Sequence, residues 1–389
     1  YDPDHLMGDV TEYGITCALI PTTHPGVQVG HRHFPMGQVF MNGPTWGDNV
    51  FIPLEWIIGG WPYAGKGWRM LVECLSAGRG ISLPALGAAC GHISTRTTSA
   101  YAYVRRQFGL SIGRFEGVQE ALARIAGLTY QLEATRRLTT TGLDLGERPG
   151  IVTAIAKYHM TEQARLILND AMDIHAGRAV QLGPNNYLGY HYMGIPIAIT
   201  VEGANILTRN LMIFGQGAIR CHPYVLKEMQ AAHNPDGKQG LVDFDKALFG
   251  HILFTIRHCF RAFWIGISGS NFVKVPHNVA PETRRYYQQL TRFSSAFAFL
   301  SDISMLVMGG ELKRREKLSA RLGDILSLMY LCSATLKRYE SEGRQAEDAP
   351  LMHWAIWDAM YKAQQAFDGV IANFPVRIIA GVVNRIIFP

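Results

Sequence analysis

The chain of 389 residues contains little charge and few cysteines for its length. Only 17% of the residues are charged and 48% are hydrophobic, and we find neither a low-complexity tract nor an internal repeat, so we expect a globular protein with a sizeable core. The six cysteines are scattered without a C-x-x-C pair, which argues against a zinc site and against a disulfide framework. Scattered cysteines are typical of reduced thiols, so we expect a cytoplasmic protein.

The sequence also lacks an uninterrupted run of about 20 uncharged apolar residues. The longest uncharged stretch, 179–201, is broken by Pro184, Asn185, Asn186 and Pro196, and no signal sequence precedes it. We therefore expect no membrane span. Lysine and arginine exceed aspartate and glutamate by 37 to 31, an excess too small to select nucleic acid, membrane or phosphate-bearing ligands.

The first part of the chain has the pattern of short strands. Gly or Pro closes each apolar run in the segments GITCALIP, GVQVG, VFMNG and NVFIP, which lie between Gly14 and Pro53. Four short strands are too few to enclose a core of their own. We therefore expect residues 1–62 to form the last part of a small β-domain.

Beyond Gly67 the apolar residues repeat at helical spacing instead. Stripes over Val118–Leu132 and Ala156–Ile174 predict antiparallel helices of a four-helix type of bundle over residues 63–231. The segment AHNPDGKQG, Ala232–Gly240, sets Pro and Gly among polar residues and predicts a boundary.

Residues 241–389 show three more helical stripes, which start at Leu248, Phe293 and Leu318, and these predict a second helical domain. The expected fold is therefore mainly α with a small β portion.

One carboxylate stands alone before an apolar helical segment, in the stretch ITVEGANILTRNLMIFGQG from Ile199 to Gly217. Residues 183–201 carry no Asp, Glu, Lys or Arg, and Leu207 and Phe214 continue an apolar stripe after Glu202. A carboxylate that is removed from water is a stronger base, so Glu202 is a candidate general base. The same position also suits an exposed acid that complements the helix dipole.

The segment YAYVRRQFGLSIGRFEGVQEALARIA, 101–126, resembles a stretch of the acyl-CoA dehydrogenase family. Relatives have an aromatic residue, an Arg, a Phe-Gly pair and a downstream Gln before a helix, and Arg105, Phe108, Gly109 and Gln119 fit that pattern. The resemblance implies that Arg105, Gln107 and Phe108 contact the FAD of a neighbouring subunit. A planar guanidinium suits this role because it pairs with phosphate oxygens bidentately.

Four other segments match the same family in the same order along the chain. DNVFIPLEWIIGG resembles the end of the middle β-domain, and ECLSAGRGI resembles the helix start that lines the acyl-CoA site, which implies substrate contacts for Ser76 and Arg79. DAMDIHAGRA resembles the segment against the partner subunit's FAD, which implies flavin contacts for Asp173 and Gly177. TVEGANILTR resembles the segment with the catalytic glutamate, which falls on Glu202.

Within this last segment the resemblance also implies that Gly203 contacts the substrate and that Ala204 and Asn205 contact FAD. The chain departs from the family at several positions. Ala176, for example, stands where relatives have a glycine that allows the close approach of a flavin.

The resemblance extends over essentially the whole chain for the larger bacterial members, which have an extra C-terminal helical region. It implies FAD-dependent α,β-dehydrogenation of medium- or long-chain fatty acyl-CoA to trans-2-enoyl-CoA in β-oxidation, with electrons passed to an electron-transfer flavoprotein. It also implies a homodimer or larger homo-oligomer. The N-terminal helical domain and the first half of the β-domain of the family have no counterpart before Tyr1.

Two other functions share this fold. An acyl-CoA oxidase would return the flavin electrons to O2, and a nucleic-acid-binding flavoprotein would need a continuous basic groove. Basic residues are interspersed with acids here except in one short cluster, Lys313, Arg314, Arg315, Lys317 and Arg321. We therefore expect no nucleic-acid binding. The cluster suits a solvated face or peripheral contact with the anionic inner face of the cell membrane.

The histidines give no clear metal site. His31 and His33 form the nearest pair and would share one face of a strand, but no third ligand lies nearby in the sequence. We expect no bound metal.

Overall fold

The computed structural model describes residues 2–6, 8–39 and 42–389, without the side chains at positions 72, 76 and 77. The described residues before position 67 contain one pair of strands, β1 (Val27–Val29) and β2 (Thr45–Gly47). They pair antiparallel, with Val27 opposite Gly47. Ala18 and Ile57 add one isolated antiparallel bridge. This region therefore has little regular structure.

The prediction of four strands was wrong in most of its segments. GVQVG is confirmed as β1, whereas GITCALIP contributes only the bridge at Ala18 and NVFIP forms no strand. VFMNG falls partly on positions 40 and 41, outside the described residues. Sequence alternation shows which residues could line a face, but a strand also needs a partner, and most described side chains here are exposed.

The rest of the chain is helical, as expected. The helices of the first half are α1 (Gly67–Val104), α2 (Glu116–Asp144), α3 (Gly150–His175), α4 (Gly177–Val180), α5 (Gly189–Thr200), α6 (Asn205–Leu207), α7 (Phe214–Arg220) and α8 (Val225–Ala232). A π-helical segment, Thr208–Ile213, joins α6 to α7. A small hairpin of β3 (Arg106–Gln107) and β4 (Leu110–Ser111) lies between α1 and α2.

The second half contains five long helices. They are α9 (Gly237–Ile267), α10 (Arg284–Met308), α11 (Glu316–Ser341), α12 (Ala349–Ala372) and α13 (Arg377–Ile387). All five stripes predicted from the sequence fall inside α2, α3, α9, α10 and α11. The predicted boundary at 232–240 is a tight turn between α8 and α9, where the Asp236 carboxylate caps α9 by accepting from the amide of Lys238 at 3.0 Å.

Two hydrophobic cores hold these helices together. One joins α1, α2 and α3 through residues such as Leu83, Ile125 and Met160. The other joins α10, α11 and α12 and also takes in Tyr130 from α2. Because α2 contributes to both cores, the first bundle and the second helical unit pack directly on each other.

The segment Arg284–Lys313 is long and apolar enough to cross a membrane, but half of its apolar window is buried in the second core. A core helix of a soluble protein passes the same test, so this segment carries no argument for a span.

Candidate active site

Glu202 lies in the short link between α5 and α6. Its φ of 53° and the φ of 91° at Gly203 are both left-handed, a conformation that is costly for a residue with a long side chain. The link therefore turns sharply and directs the carboxylate toward α1, where a Cβ on Gly78 would lie 3.6 Å from Oε1. Oε2 is buried and has no hydrogen-bond partner among the described residues. The carboxylate is thus partly desolvated and keeps a free acceptor.

Two basic side chains hold the carbonyl groups of this link. Arg79 Nε donates to the main-chain oxygen of Glu202 at 2.9 Å. Lys157 Nζ donates to the main-chain oxygens of Ile199 at 3.0 Å and Gly203 at 2.8 Å. The link is therefore tied to both α1 and α3.

The charges at these basic groups are costly to bury. Burial lowers the pKa of Lys157 to about 8, and the nearby charge of Arg79 acts in the same direction, while Glu202 and Glu162 oppose it. Burial also lowers the pKa of Arg79, which the carboxylate of Glu202 opposes. The base therefore lies in a positive local field.

The link also presents a free hydrogen-bond donor. The main-chain N–H of Ala204 has no acceptor among the described residues. In a planar trans peptide the N–H points opposite to the C=O of the same peptide group. Because the carbonyl of Gly203 points at Lys157, the Ala204 N–H points away from Lys157. A free donor two residues after a base suits an oxygen that gains negative charge.

Asn205, a predicted FAD contact, has its side chain bound inside the protein. Its side-chain oxygen accepts from Lys157 Nζ at 2.7 Å, and its amide nitrogen donates to Thr161 Oγ1 at 2.9 Å and Glu162 Oε1 at 2.8 Å. Both amide hydrogens are therefore engaged inside the protein. Its side chain supports the link and is not free for FAD, whereas exposed Ala204 is open to a ligand.

The other predicted flavin contacts lie at the far end of α1. Arg105 ends that helix, its side chain is exposed, and it forms neither an ion pair nor a hydrogen bond through its guanidinium with the described residues. Gln107 is exposed in β3, and the Phe108 ring is 91% exposed at the left-handed turn of the hairpin. The Phe108 ring contacts the Phe115 ring edge-on, with centroids 6.3 Å apart, and its remaining surface is exposed. An exposed guanidinium and an exposed aromatic ring at the same end of α1 suit a group that carries phosphates and a flat ring system.

Asp173 and Gly177 lie at the same end of the bundle, because Tyr101 of α1 stacks on His175 of α3 with ring centroids 4.3 Å apart. Both are exposed, and nothing lies within 4 Å of a Cβ placed on Gly177. Ala176 has φ 51° and ψ −130°, so the missing family glycine would have suited this backbone.

The two groups of predicted residues are far apart in one chain. Arg79 and Arg105 are separated along α1 by 26 residues, which corresponds to about 39 Å of straight helix. One flavin cannot touch Glu202 and Arg105 of the same chain at that distance. Of the predicted substrate contacts, Arg79 and Gly203 lie beside Glu202, and the Ser76 side chain lies outside the described residues.

Lys157 was missed in the sequence. The signal was present, because Lys157 is the only Asp, Glu, Lys or Arg between Gly150 and Thr161 and falls on the apolar stripe of α3. A charged residue on a buried helical face needs partners, and here three acceptors supply them.

The second helical unit contains a separate polar cluster. Asp302 accepts from His222 Nε2 at 3.1 Å and from Thr255 Oγ1 at 2.7 Å, and His251 Nε2 lies 3.5 Å away. The ligand atoms of His222, His251 and Asp302 lie within 4.8 Å of one another, close enough to hold a metal ion. His222 Nδ1, however, accepts from the amide of Tyr224 at 3.2 Å, so its hydrogen lies on Nε2 and leaves no lone pair for a metal.

A largely apolar cavity of about 600 Å³ opens beside this cluster between α7, α8, α9 and α10. Its walls include Phe214, Ile252 and Met305, with His251 and Asp302 on one side. It does not include Glu202 or its neighbours.

Comparison with known proteins assigns both halves of the helical region. Residues 65–213 match the family "Acyl-CoA dehydrogenase, C-terminal domain". Residues 219–389 match "Acyl-CoA dehydrogenase, C-terminal, bacterial type". Together the two matches leave only positions 1–64 and 214–218 unassigned.

Individual relatives match over shorter stretches. "Protein HemX" of Proteus mirabilis is 66% identical over 83 residues, which are 21% of this chain and 49% of that protein. The mitochondrial short/branched chain specific acyl-CoA dehydrogenase of Bos taurus is 35% identical over 169 residues, 42% of this chain and 37% of that protein. The chain thus spans at most about half the length of these relatives.

One solved structure shares the overall fold. The acyl-CoA dehydrogenase of Bacillus anthracis, solved in complex with FAD, superposes with a TM-score of 0.70 at 15% identity. The match covers 96% of this chain and 62% of the other.

Proposed function

The chain belongs to the acyl-CoA dehydrogenase family, and we propose that it forms the base-carrying part of an FAD-dependent enzyme that converts acyl-CoA to trans-2-enoyl-CoA. We further propose that its substrates are medium- or long-chain fatty acyl thioesters of β-oxidation and that an electron-transfer flavoprotein takes the electrons.

One observation carries the proposal: among the described residues, Glu202 has a buried Oε2 without a hydrogen-bond partner, and the main-chain N–H of Ala204, two residues on, is also free. A thioester α-proton is weakly acidic, and its removal places negative charge on the thioester oxygen. Glu202 would take the proton, while the N–H of Ala204 would donate to that oxygen. FAD, when bound, would accept the β-hydrogen as hydride.

The separation of the two ends of α1 supports a homo-oligomer. In a dimer or larger assembly, Arg105, Phe108 and Asp173 of one copy would hold the flavin that serves Glu202 of another. Free charge and exposed aromatic surface at that end fit such an intersubunit site.

Anaerobic titration of the purified flavoprotein with acyl-CoA tests this function. We expect palmitoyl-CoA to bleach the flavin absorbance and butyryl-CoA to bleach it much less. No bleaching by acyl thioesters of any length would contradict the proposed reaction. Stopped-flow reoxidation separates the alternative: reduced flavin that reacts faster with air than with an electron-transfer flavoprotein would indicate an acyl-CoA oxidase.

We also propose a cytoplasmic location with peripheral contact at the inner face of the membrane. On α9, Leu253, Phe260 and Trp264 are at least 60% exposed and lie along one face. Exposed Arg257 and Arg261 flank them, and aromatic and arginine side chains together suit an anionic lipid surface.

Liposome flotation tests this contact. The protein should float with anionic vesicles, and the double variant Arg257→Glu/Arg261→Glu should not. Equal flotation of both proteins, or of neither, would refute the proposal.

A further inference from the structure

Lys157 is a fully buried lysine whose partners all belong to the segment around Glu202. Its side chain has 0% exposure, and Nζ lies within 3.0 Å of the oxygens of Ile199, Gly203 and Asn205. None of these partners is a carboxylate, so the contact is not an ion pair. The three donors of an ammonium group are thus matched by three acceptors that precede, follow and flank the base.

This arrangement bears on the backbone of Glu202 itself. A left-handed glutamate is unfavourable and persists only where its surroundings hold it in place. Lys157 holds the segment on both sides of Glu202, and Arg79 holds the carbonyl of Glu202 from the opposite helix. Thr208 Oγ1 adds a weaker bond to the Gly203 oxygen at 3.3 Å.

We propose that Lys157 is a positioning residue for this reaction: its ammonium group, bound to the oxygens of Ile199, Gly203 and Asn205, holds the Glu202 carboxylate and the Ala204 N–H in their reactive orientation. The proposal rests on the proposed function. Lys157 itself touches neither substrate nor cofactor. Its effect passes through the carbonyl of Gly203, which shares a peptide group with the Ala204 N–H.

The electrostatics give this role a pH dependence. Burial and the charge of Arg79 lower the pKa of Lys157 to about 8, against the opposing effect of Glu202 and Glu162. Above that pH the neutral amine has two donors for three acceptors. The turnover number should therefore fall as the pH rises through about 8. Arg79 of α1, Glu162 of α3 and Glu202 of the link are the charged groups that face Lys157.

Lys157→Met tests the proposal because it keeps the length and apolar stem of the side chain and removes its donors. Lys274→Met is the matched control, since Lys274 is exposed and far along the chain. We expect Lys157→Met to lower kcat about 10- to 100-fold, the effect of a displacement of about 1 Å, with KM changed less than about threefold. The control should match the wild type in both constants.

A second readout needs neither flavin nor substrate. Hydrogen exchange at the Thr208 amide, which donates to the Ala204 oxygen at 2.9 Å, should be faster in Lys157→Met than in the wild type and the control. Unchanged exchange would overturn the proposal. If the wild type fails to dehydrogenate acyl-CoA, the proposed function fails, but exchange still decides whether Lys157 holds the link.

Lys157→Arg separates positioning from a general packing role and also serves if Lys157→Met does not fold. Arginine stays charged above pH 8, so the fall in kcat near that pH should disappear in this variant. A fall in kcat near pH 8 that persists unchanged in Lys157→Arg would overturn the proposal. The proposal would also be overturned if Lys157→Met lost stability and activity to the same degree and kept the pH profile of the wild type.

Discussion

The C-terminal helical unit should stabilise the helix that follows the base, through one ion pair. Arg209, in the π-helical segment after Glu202, donates from Nε to Asp324 Oδ1 of α11 at 2.9 Å and also bonds Oδ2. The geometry is bidentate, which makes it specific as well as strong. We therefore predict that Asp324→Asn loosens the segment that positions Glu202.

The size of the effect follows from the burial of the pair. Removing one partner of a deeply buried pair costs about 3 to 5 kcal/mol, and a hydrogen bond to a charged group contributes about 1.5 to 3 kcal/mol. The Arg209 side chain is 35% exposed, and burial raises the pKa of Asp324 although Arg209 opposes it. Water reaches Arg209, and the cost of desolvating Asp324 offsets part of the attraction. We therefore expect Asp324→Asn to lower the free energy of unfolding by about 2 kcal/mol, within the range for a hydrogen bond to a charged group.

Chemical denaturation measures this loss against a matched change. Asp358→Asn removes the same charge from an i,i+4 pair with Lys362 whose lysine is 43% exposed, and it should cost about 0.5 kcal/mol or less. Asp324→Asn should also lower kcat/KM, whereas Asp358→Asn should not. Equal losses in the two variants would refute the idea that the C-terminal unit supports the site.

Three further predictions concern packing, acid stability and cofactor binding. Gly127→Ala should lower the free energy of unfolding by about 1 to 3 kcal/mol, because the new Cβ would lie 2.2 Å from the Trp354 ring. Gly142 on the same helix has open space around it, so Gly142→Ala should leave the stability unchanged or raise it. Burial raises the pKa of Glu133, but hydrogen bonds from two arginines outweigh it and lower the pKa to about 2. Its stabilisation is present above about pH 4.5 and lost as the pH falls toward 2, so thermal unfolding of Glu133→Gln should approach that of the wild type in acid; a constant difference would argue against the assignment. Arg105→Ala should lose flavin on dilution without a change in helix content, which absorbance and circular dichroism would show.

The helices were predictable from the sequence because helical periodicity is local. The stripes of α2 and α3 lie within single segments, and each buried face is defined by residues three and four apart. The strand-like region was predictable only at β1, because a strand also needs a partner. The partner of β1 is β2, whose residues show no alternation of their own, so the sequence did not indicate it.

The candidate site was predictable only in part, for a related reason. Glu202 stood out as a lone carboxylate, but its contacts come from α1 and α3, over 40 residues away in sequence for Lys157 and over 100 for Arg79. Asn205 was predicted to contact FAD because that segment resembles the family. The resemblance did not indicate that its side chain binds Lys157, Thr161 and Glu162, as it does in the structure.

The central claim is that Glu202 removes the α-proton of an acyl thioester, and α-hydrogen exchange tests it most directly. The flavoprotein is incubated with acyl-CoA in D2O, and deuterium at the α-carbon is followed by NMR for the wild type, Glu202→Gln and the surface control Glu120→Gln. We predict that the wild type and the control exchange this hydrogen and that Glu202→Gln does so about 10²- to 10⁴-fold more slowly. Exchange by Glu202→Gln within about tenfold of the wild-type rate would contradict the account.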